Sequence, residues 1–184
     1  MMKVIRKNHS VEKVKNALKW TNEVGMETLA YFIIGQQTET AEDIQMSVDL
    51  AKSLNPNYVH FTIFCPYPGT QIYGEGLESG VIKEDVWGSF AADPKPGFEL
   101  PVWEENFTRA ELREMLVKCY KGFYLRPGYL LKSAVRIRSF GEFKRKFKAG
   151  LSVIGMSPND KVFNKKMQAQ VDAVVPRGQY DVSS

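Results

Sequence analysis

The chain has 184 residues and a net charge of +4, with 43% hydrophobic, 25% charged and 12% aromatic residues. That is the composition of one globular domain, or one domain with a tail, and it excludes a disordered or fibrous chain. Two cysteines (Cys65, Cys119) and two histidines (His9, His60) cannot build a four-thiolate zinc site or a three-thiolate cluster site, so a self-contained zinc or iron–sulfur protein is excluded. No apolar run reaches the ~18–20 residues of a membrane-spanning helix. The first seven residues carry no apolar h-region, which predicts a cytoplasmic, reducing setting and no disulfide framework.

In chain order, Ser10 can cap a helix over 11–24, whose apolar stripe is Val11, Val14, Ala17, Leu18, Thr21 and Val24. Gly25 follows, where a left-handed residue ends a helix. Residues 27–34 form a near-continuous, β-rich apolar run, which predicts a strand buried on both faces. After a polar loop, Thr40 with Asp43 makes a capping box for a helix over 41–54 with Ile44, Val48, Ala51 and Leu54 on one side. Asn55-Pro56-Asn57 stops it, and residues 58–64 read as a second strand.

Strand, helix, strand in that order is a βαβ unit with parallel strands. Ligands bind at the carboxyl edge of such strands. A short helix is predicted over 70–78. An irregular, aromatic-rich covering loop is predicted over 81–107, rich in Pro and Gly, with Trp87, Phe90, Phe98 and Trp103. Thr108 with Glu111 opens a helix to about Phe123 whose apolar face includes Leu112, Met115, Leu116, Cys119, Tyr120 and Phe123. Two more helices are predicted over 129–138 and 140–154. The polar tail over 156–184 is expected to be largely disordered, with a short helix over 162–174.

The charge is unevenly placed. Residues 126–150 carry Arg126, Lys132, Arg136, Arg138, Lys144, Arg145, Lys146 and Lys148 against Glu142, a net +7 that leaves −3 for the rest of the chain. Phe140, Phe143, Phe147, Leu151 and Ile154 line one side of that last helix. It either packs on its own domain with a solvated basic face, lies peripherally on an anionic membrane surface, or meets an acidic partner. No base-reading motif accompanies the charge, so nucleic acid is not expected.

Two stretches carry chemistry. The first is Tyr31-Phe32-Ile33-Ile34-Gly35-Gln36-Gln37-Thr38-Glu39-Thr40; the second, about thirty residues on, is Phe64-Cys65-Pro66-Tyr67-Pro68-Gly69-Thr70-Gln71-Ile72-Tyr73. With the later Phe123-Tyr124-Leu125-Arg126-Pro127, this resembles the last two strands of the radical SAM superfamily barrel, in the branch whose members carry a cobalamin-binding domain. The resemblance spans residues 3–147. It implies an α/β fold: the C-terminal portion of a radical SAM partial TIM barrel over 1–80, the covering loop, then a helical extension over 108–155.

The resemblance further implies S-adenosylmethionine contacts at Ile33, Gly35, Phe64, Cys65 and Pro66, with no catalytic or metal-ligating residue in this chain. Apolar Ile33 can pack on an adenine face, glycine allows close backbone approach, and the end of the second strand offers backbone groups to an adenine edge. Ile33 and Phe64 also read as plain core, Gly35 as a strand end, and Cys65 as a packed thiol. His60, between Val59 and Phe61, reads as a packed or hydrogen-bonded histidine ahead of a ligand or base.

The pattern departs from the family in several places. Tyr31 replaces a usual glycine, Gln36-Gln37-Thr38 replaces a Leu-Pro-Gly loop, and the Cys-x3-Cys-x2-Cys that holds a [4Fe–4S] cluster is absent. The implied parent reaction uses the cluster to convert S-adenosylmethionine to a 5′-deoxyadenosyl radical that attacks a small-molecule substrate. Methylation or an oxidative cyclisation follows, and cobalamin takes part in this branch. The chain is then expected to be the C-terminal part of such an enzyme, inactive without the N-terminal barrel half. The alternative is a non-catalytic binding or membrane-surface module. Two strands cut from a barrel are expected to expose backbone hydrogen-bonding groups and apolar faces.

Overall fold

A computed structural model describes residues 10–95, 98–135 and 140–158. The elements run α1 (Val11–Glu23), β1 (Leu29–Ile34), α2 (Ala41–Leu54), β2 (Tyr58–Ile63), α3 (Gln71–Ser79), α4 (Val86–Ala92), α5 (Arg109–Tyr124), α6 (Pro127–Val135) and α7 (Phe140–Ile154). From residue 159 on, the expected tail, including its short helix, lies outside the described residues.

Local chemistry explains most boundaries. The Ser10, Thr40, Thr70, Asp85 and Thr108 side chains each accept from a backbone N–H of the helix they precede. At Thr40–Asp43 and Thr108–Glu111 the reciprocal capping box is complete. Gly25 and Gly80 end α1 and α3 with φ of +76° and +75°. Pro127 opens α6, where its missing N–H loses nothing.

β1 and β2 pair in parallel, Leu29 with Tyr58 through Ile34 with Ile63. Beneath the sheet, Thr28 and Asn57 lock the two strand entrances. Thr28 N–H and its hydroxyl donate to Asn57 Oδ1 at 3.0 and 2.9 Å, and Asn57 N–H donates to the Thr28 hydroxyl at 3.1 Å.

One sheet face carries Ala30, Phe32 and Ile34 of β1 with Val59, Phe61 and Ile63 of β2. It packs on Ile44, Val48 and Ala51 of α2 and on Leu116, Cys119 and Phe123 of α5. This is the main core. A smaller cluster of Tyr73, Ile82 and Trp103 gathers Phe64, Leu77 and Trp87 at the carboxyl end of β2.

Three expectations are corrected. β1 is buried on one face only: Leu29, Tyr31 and Ile33 are 48%, 68% and 40% exposed, because no described layer covers that side. The covering loop contains a helix, α4, seeded by Asp85. That carboxylate accepts from Gly88 N–H at 2.9 Å and from the Tyr73 hydroxyl at 2.6 Å.

The expected exposure of backbone groups is also narrower: among the described residues it holds along the β1 edge only. Alternate backbone groups of β2 point away from β1, and there Tyr124 and Tyr120 of α5 take their place as partners. The Tyr124 hydroxyl accepts from Val59 N–H (2.9 Å) and donates to Val59 C=O (2.8 Å). The Tyr120 hydroxyl does the same for Phe61 at 3.2 and 2.9 Å. Two tyrosines one helical turn apart thus stand in for a third strand. On β1, the N–H and C=O of Leu29 and Tyr31 face outward, since its even-numbered residues pair with β2. α1 likewise buries none of its stripe, and Val24 and Trp20 are exposed.

Candidate functional site

The carboxyl ends of the two strands lie side by side, as a parallel pair requires. At the end of β1 the chain turns sharply through Gly35, φ +78°, and a Cβ there would sit 2.7 Å from Leu112 Cδ2. Glycine is required for the left-handed backbone and for that contact. The turn is held from inside by Glu39, whose Oε2 accepts from Gly35 N–H and from Gln36 N–H at 3.0 Å.

Glu39 is 1% exposed, and its Oε1 has no hydrogen-bond partner among the described residues. Burial pushes its carboxyl up, against the two backbone hydrogen bonds that lower it. The same loop is clamped from outside: Thr38 N–H donates to Glu105 Oε2 at 3.2 Å, and Asn106 Nδ2 donates to Glu39 C=O at 3.1 Å.

At the end of β2, Phe64 N–H donates to Ile34 C=O at 2.7 Å, so that donor belongs to the sheet. Pro66 is fully buried, and its carbonyl accepts from Trp87 Nε1 at 3.1 Å. Trp87 stacks on Tyr67 with ring centres 5.6 Å apart and tilts against Phe98 at 5.0 Å. Cys65 is partly buried, which pushes its thiol up to about 11 against the pull of nearby Arg109. Burial thus favours the thiol over the reactive thiolate. Beyond this aromatic roof lies a cleft of about 630 Å³ lined by Glu84, Phe90, Asp93, Phe98, Glu99 and Arg109. Arg109 there pairs with Glu99 and Glu104 at 3.6 and 3.8 Å.

Ile33, Gly35, Phe64, Cys65 and Pro66 therefore gather at one edge, but they do not face one way. Ile33 is half open on the uncovered sheet face. Gly35 and Pro66 are buried behind their neighbours, and Phe64 leans into the Tyr73–Trp103 cluster. The open face continues through Tyr31, His60 and Thr62. The Tyr31 and His60 rings meet edge-on at 5.4 Å, and His60 Nδ1 is 3.1 Å from the Tyr120 hydroxyl.

Glu39, Trp87, Tyr120 and Tyr124 shape this site and were not singled out for it by sequence. Glu39 lay inside the quoted loop motif, and Tyr120 and Tyr124 repeat at the helical spacing of four. Nothing in the sequence marked their hydroxyls as edge partners.

The cysteines do not fit an iron–sulfur cluster. Cys119 is 2% exposed within the α2–α5–sheet core, its thiol pushed up to about 11 by burial, and one partly buried thiol remains. Among the described residues no group of three or more His, Cys, Asp or Glu could hold a metal ion. Among the described residues no helix is long and apolar enough to cross a membrane.

Comparison with known proteins supports kinship with radical SAM-related enzymes. The chain is 32% identical over 139 residues to an uncharacterised methyltransferase of Pyrococcus horikoshii, covering 75% of this chain and 28% of that protein. It is 31% identical over 125 residues to the bacteriochlorophyllide d C-8(2)-methyltransferase of Chlorobaculum tepidum, covering 68% and 27%. It is 24% identical over 128 residues to the anaerobic magnesium-protoporphyrin IX monomethyl ester cyclase of Rubrivivax gelatinosus, covering 69% and 22%. The chain thus spans about a quarter of the length of the curated relatives it matches. No family model and no solved structure matches it.

Proposed function

We propose that the chain forms the C-terminal portion of a radical SAM-type barrel, probing adenosine and substrate from the carboxyl edge of β1 and β2, in an enzyme of the methylating or cyclising kind. The observation that carries this reading is the asymmetric sheet. One face is packed by α2 and α5, while the other shows Leu29, Tyr31 and Ile33 to solvent beside a bare β1 edge. Added parallel strands on that edge would turn the open face into a barrel interior.

In this reading Ile33 packs on the adenine of S-adenosylmethionine. The Glu39-braced turn at Gly35 sets the height of the rim, and backbone groups after Phe64 meet the adenine edge. The substrate is a small molecule lying over Tyr31 and His60. S-adenosylmethionine, when bound and given one electron by the enzyme's [4Fe–4S] cluster, would split its S–C5′ bond into methionine and the radical that abstracts a substrate hydrogen. The [4Fe–4S] cluster and cobalamin belong to parts of the enzyme other than these residues, and the N-terminal barrel half is the required partner. The chain alone is inactive.

The test is a hybrid in which this chain replaces the matching region of the Chlorobaculum methyltransferase. The hybrid should keep the cluster's visible absorbance and cleave S-adenosylmethionine. Ile33→Asp should then weaken S-adenosylmethionine binding by about tenfold or more without changing the absorbance. Unchanged binding would refute the reading.

A second reading concerns α7. Phe140, Leu151 and Ile154 are exposed on it together with Lys144 and Lys148. Such a helix suits an anionic membrane surface. Salt-sensitive co-sedimentation with phosphatidylserine vesicles should report it, and no binding at low salt would dismiss it.

A further inference from the structure

We propose that Tyr120 holds His60 in the tautomer protonated on Nδ1, so that the Nε2 lone pair faces the open side of the sheet as the acceptor for an N–H or O–H group of the bound substrate. The acceptor role rests on reading that face as the ligand-facing one; the tautomer does not.

The argument is an inventory of one hydroxyl. A tyrosine hydroxyl has one proton to donate and two lone pairs to accept with. Tyr120 is within hydrogen-bonding distance of three groups: Phe61 C=O at 2.9 Å, Phe61 N–H at 3.2 Å and His60 Nδ1 at 3.1 Å. Phe61 is 1% exposed and lies on the sheet edge, and among the described residues the Tyr120 hydroxyl is the donor to its carbonyl. An unpaired buried carbonyl is costly, so the hydroxyl proton goes to Phe61 C=O. Both lone pairs then accept, one from Phe61 N–H and the other from His60 Nδ1. A nitrogen that must donate carries a proton, so neutral His60 is unprotonated at Nε2.

The ring's surroundings leave that lone pair available. His60 is exposed, and its neighbours on this face are Tyr31, whose ring meets it edge-on at 5.4 Å, and Tyr120, with ring centres 6.5 Å apart. Among the described residues Nε2 has no hydrogen-bond partner. The pattern is that of a binding-site imidazole, in which one ring nitrogen is anchored so that the other is oriented. Tyr120 is a positioning residue here, and α5 couples the sheet edge to the open face through it.

Histidine occurs at two positions in the chain, so the test is direct. Long-range 15N–1H correlation spectra of the full chain, labelled at histidine, separate the two tautomers, and His9→Gln assigns the pair. Near pH 8.5, about two units above the ordinary imidazole value, His60 should show a protonated Nδ1 and a bare Nε2. Tyr120→Phe should release it toward a mixture of both forms. A protonated Nε2 in the wild-type chain overturns the proposal.

Wild-type carbethoxylation by diethyl pyrocarbonate gives a measure that does not depend on Tyr120→Phe folding. His60 should react within about threefold of free imidazole, since the reagent attacks an exposed lone pair, and a rate tenfold lower overturns the exposed acceptor. In the hybrid enzyme, His60→Phe should raise KM for substrate about tenfold, while His60→Gln, which keeps an acceptor, should raise it less than about threefold. Equal KM values overturn the acceptor role and leave the radical SAM reading standing. A hybrid that keeps its cluster but never cleaves S-adenosylmethionine refutes that reading, and the spectra still decide the tautomer.

Discussion

Removing one oxygen should test how the sheet edge is closed. Tyr124→Phe keeps the ring that meets Phe123 and Tyr129 at 5.0 and 5.1 Å, and deletes only the hydroxyl that serves Val59. Two hydrogen bonds are lost, at 2.9 and 2.8 Å, from a residue that is 3% exposed. Each buried backbone group left unpaired costs about 1–3 kcal/mol, and water can reach an edge strand in part, so the expected loss is about 3 kcal/mol. Tyr129→Phe is the matched control. Its hydroxyl makes one bond, to Asn57 C=O at 3.0 Å, and its loss should cost about 1 kcal/mol. Urea unfolding followed by circular dichroism reads both, and the slopes should agree if the unfolded states are alike. Because a bare strand edge recruits other chains, Tyr124→Phe should also become more prone to self-association in size-exclusion chromatography. A loss under about 0.5 kcal/mol with unchanged association would refute the edge-closing role.

Three further outcomes follow from the same structure. Gly35→Ala should cost about 2–4 kcal/mol, from the left-handed backbone and the 2.7 Å approach to Leu112, and Leu112→Ala in that background should relieve only the steric share. Glu39 has a raised carboxyl pKa, so the unfolded chain releases this proton first. Its contribution is favourable below the ordinary value of 4.5 and falls as pH climbs from there through the folded value. Glu39→Gln should flatten that decline in a pH series of urea midpoints. Both thiols are shifted from 9.0 to about 11, so iodoacetamide at pH 8 should alkylate folded Cys65 and Cys119 about a hundredfold more slowly than the urea-unfolded chain. Rapid labelling of the folded chain would contradict the burial of Cys65.

Much of the site's address was legible before any coordinates. The helix over 41–54 was bounded by a capping box and by Asn55, which adopts φ +46° at the end of α2. Residues 140–154 were bounded by their apolar repeat. These are short-range signals: a cap needs partners three residues away, and a helical stripe needs only its own period. The same holds for the strand–helix–strand order, which made the sheet parallel and put Ile33, Phe64 and Pro66 at one edge.

What the sequence could not state was which side of each strand would be covered. The apolar run at 27–34 is equally consistent with one packed face or two, since residue type does not say whether a neighbour exists. Only the tertiary structure decided that Ala30, Phe32 and Ile34 meet α2 and α5 while Tyr31 and Ile33 remain open. It also decided that Tyr120 and Tyr124, about sixty residues beyond the strand they serve, close its edge. Such bonds depend on how a helix docks, and docking is a property of the whole packed core rather than of any local stretch.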